Sequence, residues 1–330
     1  MILPTFVWLA VGAGLFWAVD IVFSKVLLGD QHSPRELTVV AVTAGVGFAL
    51  LVPVAWAFSP LVSADPFVSL SVVAVGLGSG LLYVPADHLY TVALDRGEAS
   101  RIAPLMETAP VFTLVVAFVV LREVPAVPNV AGVGLVVVGA VLVSPGDSCK
   151  RGSCAGNLGP FRSRALWIVV AASILYALFA VTTRVAIQSG GGVWWVYFWS
   201  RIGGVVPLAV LAVRGDWGVT SEDEAKTVRL GSRLRVVRDS LWRWRDHQLH
   251  LLLANEGATK LGLLLATAAF ASGQAALVDA ATATAPMFVM AMVLGLDGVG
   301  VLDEDVSPPV LAAKTASSGV ILVGVFLISV

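Results

Sequence analysis

An all-α polytopic integral membrane protein, with about ten transmembrane helices arranged as two inverted five-helix repeats, is the fold class this sequence predicts. Three observations carry that expectation. The first is composition: 58% of the 330 residues are hydrophobic, 13% are charged, and mean hydropathy is +0.89. Soluble domains are far less apolar and carry about twice the charge. The second is the length of the apolar runs. A hydrocarbon core about 30 Å thick needs roughly 20 apolar residues per helix, and the chain supplies such runs repeatedly. The third is a repetition: TAPVF at 108–112 returns as TAPMF at 284–288. Each copy places a proline inside an apolar run, where it removes a backbone N–H and crowds the carbonyl four residues earlier.

Cutting at polar, proline and glycine clusters gives spans at 4–28, 34–57, 67–94, 100–121, 127–144, 164–187, 193–213, 249–271, 275–295 and 308–329. The first is apolar for too long to be a signal-peptide core, and reads as a spanning helix. Most breaks are short, such as GDQHSP (29–34) and QSGGG (188–192). The glycines of GLGSG (76–80) fall within the third span, where small residues let helices approach closely. Two hydrophilic stretches are longer. The polar segment 144–164 separates the fifth span from the sixth, which divides the chain into a first repeat at 1–145, a linker at 146–163 and a second repeat at 164–330. The other is an insertion at 214–248. Within it Leu230, Leu234, Val237, Leu241 and Trp244 recur at steps of four and three among six arginines. That pattern predicts a basic amphipathic helix lying on anionic lipid headgroups at 228–245.

The two sets of five spans match in order. Trp8 through Lys25 aligns with Trp167 through Arg184, and Trp17-Ala18 with Tyr176-Ala177. Gly97, Ala99, Thr108, Ala109, Pro110 and Phe112 recur 176 residues later as Gly273, Ala275, Thr284, Ala285, Pro286 and Phe288. VGAVLVS (138–144) is echoed by VGVFLIS (323–329). Three matching segments in one order point to an internal duplication. Because five is odd, the second copy enters from the opposite side, as in many secondary transporters.

Trp8 and Trp17, with Lys25 closing the first span, are followed by PVFTLVVAFVVLREVPAVPNVAGVGLVVVGAVLV at 110–143. These features resemble the EamA-like ten-helix members of the drug/metabolite transporter superfamily: a fourth helix, a short Glu-bearing turn (Arg122-Glu123) and a glycine-rich fifth helix. The second half departs from that pattern in the longer, more acidic turn LDGVGVLDEDVSPP (296–309) and in the insertion. The resemblance implies transport of a small-molecule solute across a lipid bilayer and leaves the solute unnamed.

Ionisable groups inside apolar spans cost about 2.5–3.5 kcal/mol each on insertion scales, which makes them functional candidates. Glu107, in APLMETAP (103–110), lies between Pro104 and Pro110. It reads as a carboxylate open to a cavity and able to exchange a proton, against the alternative of a structural ion pair. Arg201, midway through the seventh span, is expected to pair with a carboxylate or an anionic substrate group. Asp20, Asp279 and Lys314 are embedded as well, as binding groups or as packing ion pairs. Asp87 and His88 follow Pro85, and a His beside a carboxylate is placed to relay protons, unless both simply form a polar helix end. Lys25 and Arg184 read as snorkelling helix ends. Trp17 is a pathway candidate, and the cluster Trp194, Trp195, Tyr197 and Trp199 reads as an interfacial belt. Pro110 and Pro286 are read as paired hinges facing the cavity.

Other classes fall away. A net charge of −1 provides no basic nucleic-acid surface, so no nucleic-acid partner is expected. Cys149 and Cys154 stand as C-x4-C without a neighbouring His, too little for a metal site. The sequence has no nucleophile with its base and no phosphate-binding glycine loop, so neither an enzyme nor a cofactor is expected, and an ATP-driven pump would need a further module. The expected function is a secondary transporter of a small organic solute (an amino acid, metabolite or drug-like compound) working by alternating access in the cell membrane, with proton coupling through Glu107. The alternative is a lipid-carrier flippase or a non-transporting scaffold subunit, and the sequence leaves room for a homo-oligomer. Twelve Lys and Arg residues in the linker and at 214–245 fall on one side of ten spans. The positive-inside rule then puts those loops in the cytoplasm and both termini outside, opposite to the usual picture of the family.

Overall fold

A computed structural model describes residues 4–29, 33–58, 69–96, 99–143, 164–214, 249–297 and 308–329, and these are helical throughout apart from short turns and caps. The helices are α1 (Thr5–Gly29), α2 (Pro34–Ala49), α3 (Leu51–Phe58), α4 (Leu70–Arg96), α5 (Ala99–Met106), α6 (Ala109–Leu121) and α7 (Val127–Val143) in the first half. The second half holds α8 (Arg164–Gln188), α9 (Val193–Gly203), α10 (Val205–Arg214), α11 (Leu249–Ser272), α12 (Ala275–Thr282), α13 (Ala285–Asp297) and α14 (Pro308–Ser329). Most of the linker and of the insertion, with Cys149, Cys154 and the amphipathic segment 228–245, lies outside the described residues.

By length and composition, six stretches among the described residues can cross a membrane, and three shorter apolar helices accompany them. The six leave out four of the ten expected spans, and three of these, the fourth, fifth and tenth, are the shorter apolar helices. The fourth span is broken into α5 and α6, leaving only 13 residues in its longer piece. The eighth, α11, has the length at 24 residues but carries Asn255, Glu256 and Lys260.

Prolines decide where the rods break. In four spans the upstream helix ends four residues before a proline: α2 at Ala49 before Pro53, α5 at Met106 before Pro110, α9 at Gly203 before Pro207, and α12 at Thr282 before Pro286. That residue's carbonyl is the one a proline cannot serve with an N–H. At the repeated pentapeptide the chain re-forms with matching tight bonds: Val111 N–H donates to the Thr108 carbonyl (3.2 Å) and Met287 N–H to the Thr284 carbonyl (3.1 Å). Pro85, by contrast, is carried inside an unbroken α4. Elsewhere helix starts follow local rules: Ser33 and Glu36 form a capping box at α2, with bonds of 3.3 and 3.2 Å.

Packing follows the repeat. Helix α1 lies along α11 and α4 along α8, while α2 meets α9, α6 meets α12, and α7 meets α14. Exchanging the first five spans with the last five leaves this set of pairs unchanged. First-with-eighth becomes sixth-with-third, and the other three pairs map onto themselves. Glycines permit the closest of these approaches: a Cβ on Gly80 would run into the Ser200 carbonyl, and one on Gly203 into the Leu77 backbone.

Two cations expected to snorkel do something else. Lys25 Nζ donates to the Leu94 carbonyl at 2.8 Å, in the last turn of α4. Arg184 donates to the Phe270 carbonyl in the last turn of α11, and its Nε pairs with Glu123 at 3.2 Å. Each therefore satisfies a terminal carbonyl of a neighbouring helix, and the two carbonyls stand 176 residues apart, the spacing of the repeated pentapeptide. Glu123 in turn accepts the first N–H of α12, from Ala275, at 2.9 Å. Removing one partner of a mostly buried pair costs about 3–5 kcal/mol. Arg184→Ala is accordingly expected to lower the thermal unfolding midpoint in detergent by several degrees, and an unchanged midpoint would show that this junction does not hold the two halves together.

Candidate functional site: an acidic, aromatic cavity

The breaks of the fourth and ninth spans meet where α1, α4, α8 and α11 converge, and a cavity of about 110 Å³ lies between them. Four carboxylates from four spans line it. Asp20 comes from α1, Asp87 from α4, Glu107 from the two-residue turn between α5 and α6, and Asp279 from α12. Aromatic rings supply much of the remaining wall, among them Trp17, Tyr83, Tyr90, Tyr176, Phe179 and Phe270. Among the described residues no Lys, Arg or His lines it.

Three of the acids are held by hydroxyls from facing helices. Thr259 donates to Asp20 Oδ1 at 2.7 Å, Tyr176 to Asp87 Oδ1 at 3.2 Å, and Thr113 to Asp279 Oδ2 at 2.5 Å. Glu107 differs. Its carboxylate accepts no hydrogen bond among the described residues, and its strongest charged neighbour is the like-charged Asp279. Tyr90 is 9% exposed, and its hydroxyl has no hydrogen-bond partner among the described residues. A smaller cavity of about 20 Å³ continues past Asp20, Asp87, Tyr90 and Thr259 towards Ser24, Asn255 and Glu256. There Glu256 is ion-paired to Lys260 at 2.9 Å, one turn along α11.

The candidates named from the sequence divide. Trp17, Asp20, Asp87, Glu107, Asp279 and Pro110 all face the cavity. Glu107 does so from a helix break, rather than from within a continuous helix. His88 does not: one residue along a helix is a turn of about 100°, and its Nδ1 lies 2.9 Å from the Thr38 hydroxyl, 2% exposed. The Asp87–His88 relay is thereby corrected. Arg201 is buried, but no carboxylate lies within ion-pair distance among the described residues. Its guanidinium sits 4.1 Å from the centre of the Tyr83 ring and 5.7 Å from that of Tyr197, and donates to Ser200 Oγ at 3.1 Å. Rings replace the expected acid. Pro286 is absent from the wall, where its neighbour Ala285 stands instead. The belt reading fails for Trp195 and Tyr197, both buried. The side chain of Lys314 lies outside the described residues.

The sequence reading missed Tyr83, Tyr90, Tyr176 and Thr259 in the wall, and Glu256 with Lys260 behind it. The last pair had a signal: ANEGATK at 254–260 interrupts an apolar run with two opposite charges one turn apart.

A bundle of this kind, with broken helices around a polar interior cavity, is a polytopic helical membrane protein. The EamA-like transporter family matches residues 5–144, the first five spans, consistent with the drug/metabolite transporter superfamily, a grouping of membrane transporters of small solutes. The chain is 26% identical over 134 residues to a protein of Methanocaldococcus jannaschii described as uncharacterized, covering 39% of this chain and 89% of that one. That relative is therefore less than half as long as this chain. The fold also matches a solved structure, described only as a crystal structure of a protein, with a TM-score of 0.63 at 15% identity over 99% of this chain and 96% of the other.

The bare Glu107 allows the structural and functional readings to be separated. A carboxylate that holds helices together loses stability when neutralised, as a paired one does. One facing a cavity without a partner is expected to leave the unfolding midpoint of Glu107→Gln unchanged or slightly raised. A fall comparable to that of Arg184→Ala would make Glu107 a structural group.

Proposed function

We propose that this protein is a secondary transporter of a small organic solute in the cell membrane, working by alternating access between two inverted five-helix repeats. The observation that carries the reading is the placement of the cavity. It lies where two broken spans from opposite halves meet, and unwound backbone at membrane depth is tolerated where it lines a cavity or is buried in protein. Discontinuous helices meeting at the interface of two repeats are how many secondary transporters build a binding site. The exchange-invariant helix pairing and the matched caps of Lys25 and Arg184 support a pseudo-two-fold relation between the halves. The half-length relative is what a single unit of such a duplication would resemble.

In this reading Pro110 and Pro286 mark equivalent joints. With Ala in either place, the restored N–H can reach the carbonyl of Met106 or Thr282 and the rod can straighten. Transport by Pro110→Ala and Pro286→Ala in proteoliposomes is expected to fall several-fold while the unfolding midpoint holds. Wild-type rates in both would remove the joints from the mechanism.

Glu107 is the proposed coupling group, because it faces the cavity and no protein donor engages it. It would take up a proton on one face and release it on the other as the cavity switches, coupling solute movement to the proton gradient. Gln keeps the shape but cannot carry the proton. Glu107→Gln is expected to abolish gradient-driven uptake and to retain solute exchange at equal pH once solute is raised to saturation. Gradient-driven uptake that survives in the variant would exclude this role, and scrambling of a labelled lipid in place of solute uptake would favour a flippase.

A further inference from the structure

We propose that the central cavity takes an organic cation: a small ammonium or guanidinium borne on an apolar or aromatic body. This deepens the transporter reading and rests on it. The wall carries four carboxylates and, among the described residues, no cationic side chain. The cations nearest to it are committed elsewhere. Lys260 is held by Glu256 at 2.9 Å, and Arg201 stacks on Tyr83 and Tyr197 and lines a separate pocket. Lys260 and Arg201 act at a distance on Asp87, and Lys260 on Asp20. No cation acts on Glu107 or Asp279 among the described residues, so a positive end supplies a partner there that a neutral or anionic solute does not.

The rest of the wall favours the same occupant. Cations are attracted to the faces of aromatic rings, most strongly where water is excluded, and aromatic rings make up much of this lining. Two acceptors are vacant. Asp20, Asp87 and Asp279 already receive hydroxyl protons, but the Glu107 carboxylate receives none among the described residues. The Tyr90 hydroxyl, 9% exposed and without a hydrogen-bond partner among the described residues, belongs to the same lining as Asp20, Asp87 and Glu107. An ammonium seated at Glu107 and Asp279 can give one N–H to Glu107 and another to Tyr90, with its apolar body against Phe179 and Phe270. A cavity of about 110 Å³ suits a small amine. A free amino acid fits less well, since its carboxylate would meet the same acids and find no Arg or Lys in the wall.

Binding and flux test this separately. Calorimetry on the detergent-solubilised full chain would use phenethylammonium and the fixed cation benzyltrimethylammonium. The comparison compounds are phenylalanine, 3-phenylpropan-1-ol and 3-phenylpropionate. Both cations are expected to bind at least about tenfold more tightly than the other three. Glu107→Gln and Asp279→Asn should each weaken cation binding by about tenfold. Tyr90→Phe should weaken phenethylammonium alone, because the quaternary cation has no N–H to give. The alcohol or the carboxylate binding as tightly as the cations overturns the proposal, as does cation binding unchanged in both acid variants with wild-type unfolding midpoints, or no binding of any probe. Flux in proteoliposomes distinguishes the two levels. Cations that bind but are not moved overturn the transporter reading and support the ligand class, while movement of 3-phenylpropionate without cation binding does the reverse.

Discussion

Inside a bilayer every backbone N–H and C=O has to find its partner within the protein, and that constraint organises this molecule. A continuous helix meets it alone. A helix interrupted by proline cannot, so each interruption needs a place where the freed carbonyls are shielded from lipid. Among the described residues four rods are interrupted, at Leu50, Glu107–Thr108, Gly204 and Ala283–Thr284. Two of the four, in the fourth and ninth spans, flank the cavity that Asp20, Asp87, Glu107 and Asp279 line. The other two fall in α2–α3 and α9–α10, which meet across the bundle. Helix ends obey the same rule: the last turns of α4 and α11 receive Lys25 and Arg184, and the first turn of α12 receives Glu123.

Charge inside the bundle is distributed by the same economy of partners. Among the described residues the two buried cations Lys260 and Arg201 have their direct contacts outside the cavity, Lys260 with an acid one turn away and Arg201 with two rings. The cavity is left acidic by construction, with hydroxyls fixing three of its carboxylates in place. Hydroxyl donors orient an acid without supplying an opposite charge.

The repeated pentapeptide, the apolar runs and the early placement of Asp20, Asp87, Glu107 and Asp279 inside spans made the architecture and most of the acidic wall legible from letters alone. What escaped had physical causes. His88 was misread because adjacency in sequence is divergence on a helix. Arg201 was given an acid because charge pairing is the simplest partner to imagine, while a stack on Tyr83 depends on a contact between distant spans. Tyr90 and Tyr176 look like ordinary packing residues until the convergence of α4 and α8 turns their hydroxyls inward. Pro53 and Pro207, at matching places in the second and seventh spans, were legible and went unused: each stands three residues past its break, as an internal comparison of the halves would have revealed.

Scaffold and chemistry follow different symmetries. The breaks and the terminal caps exist in two copies related by the repeat. The acids exist in one. The residue 176 places after Glu107 is Ala283, and the residue 176 places before Asp279 is Ala103. Both carboxylates nevertheless face one cavity, because the fourth and ninth spans pack against each other and an acid on either reaches the shared space. The two breaks stand at equivalent places in the two halves, and the acids between them occupy positions that hold alanine in the other half. The charge of the cavity is thus set by side chains that the two halves do not share, while the helix breaks beside it are common to both.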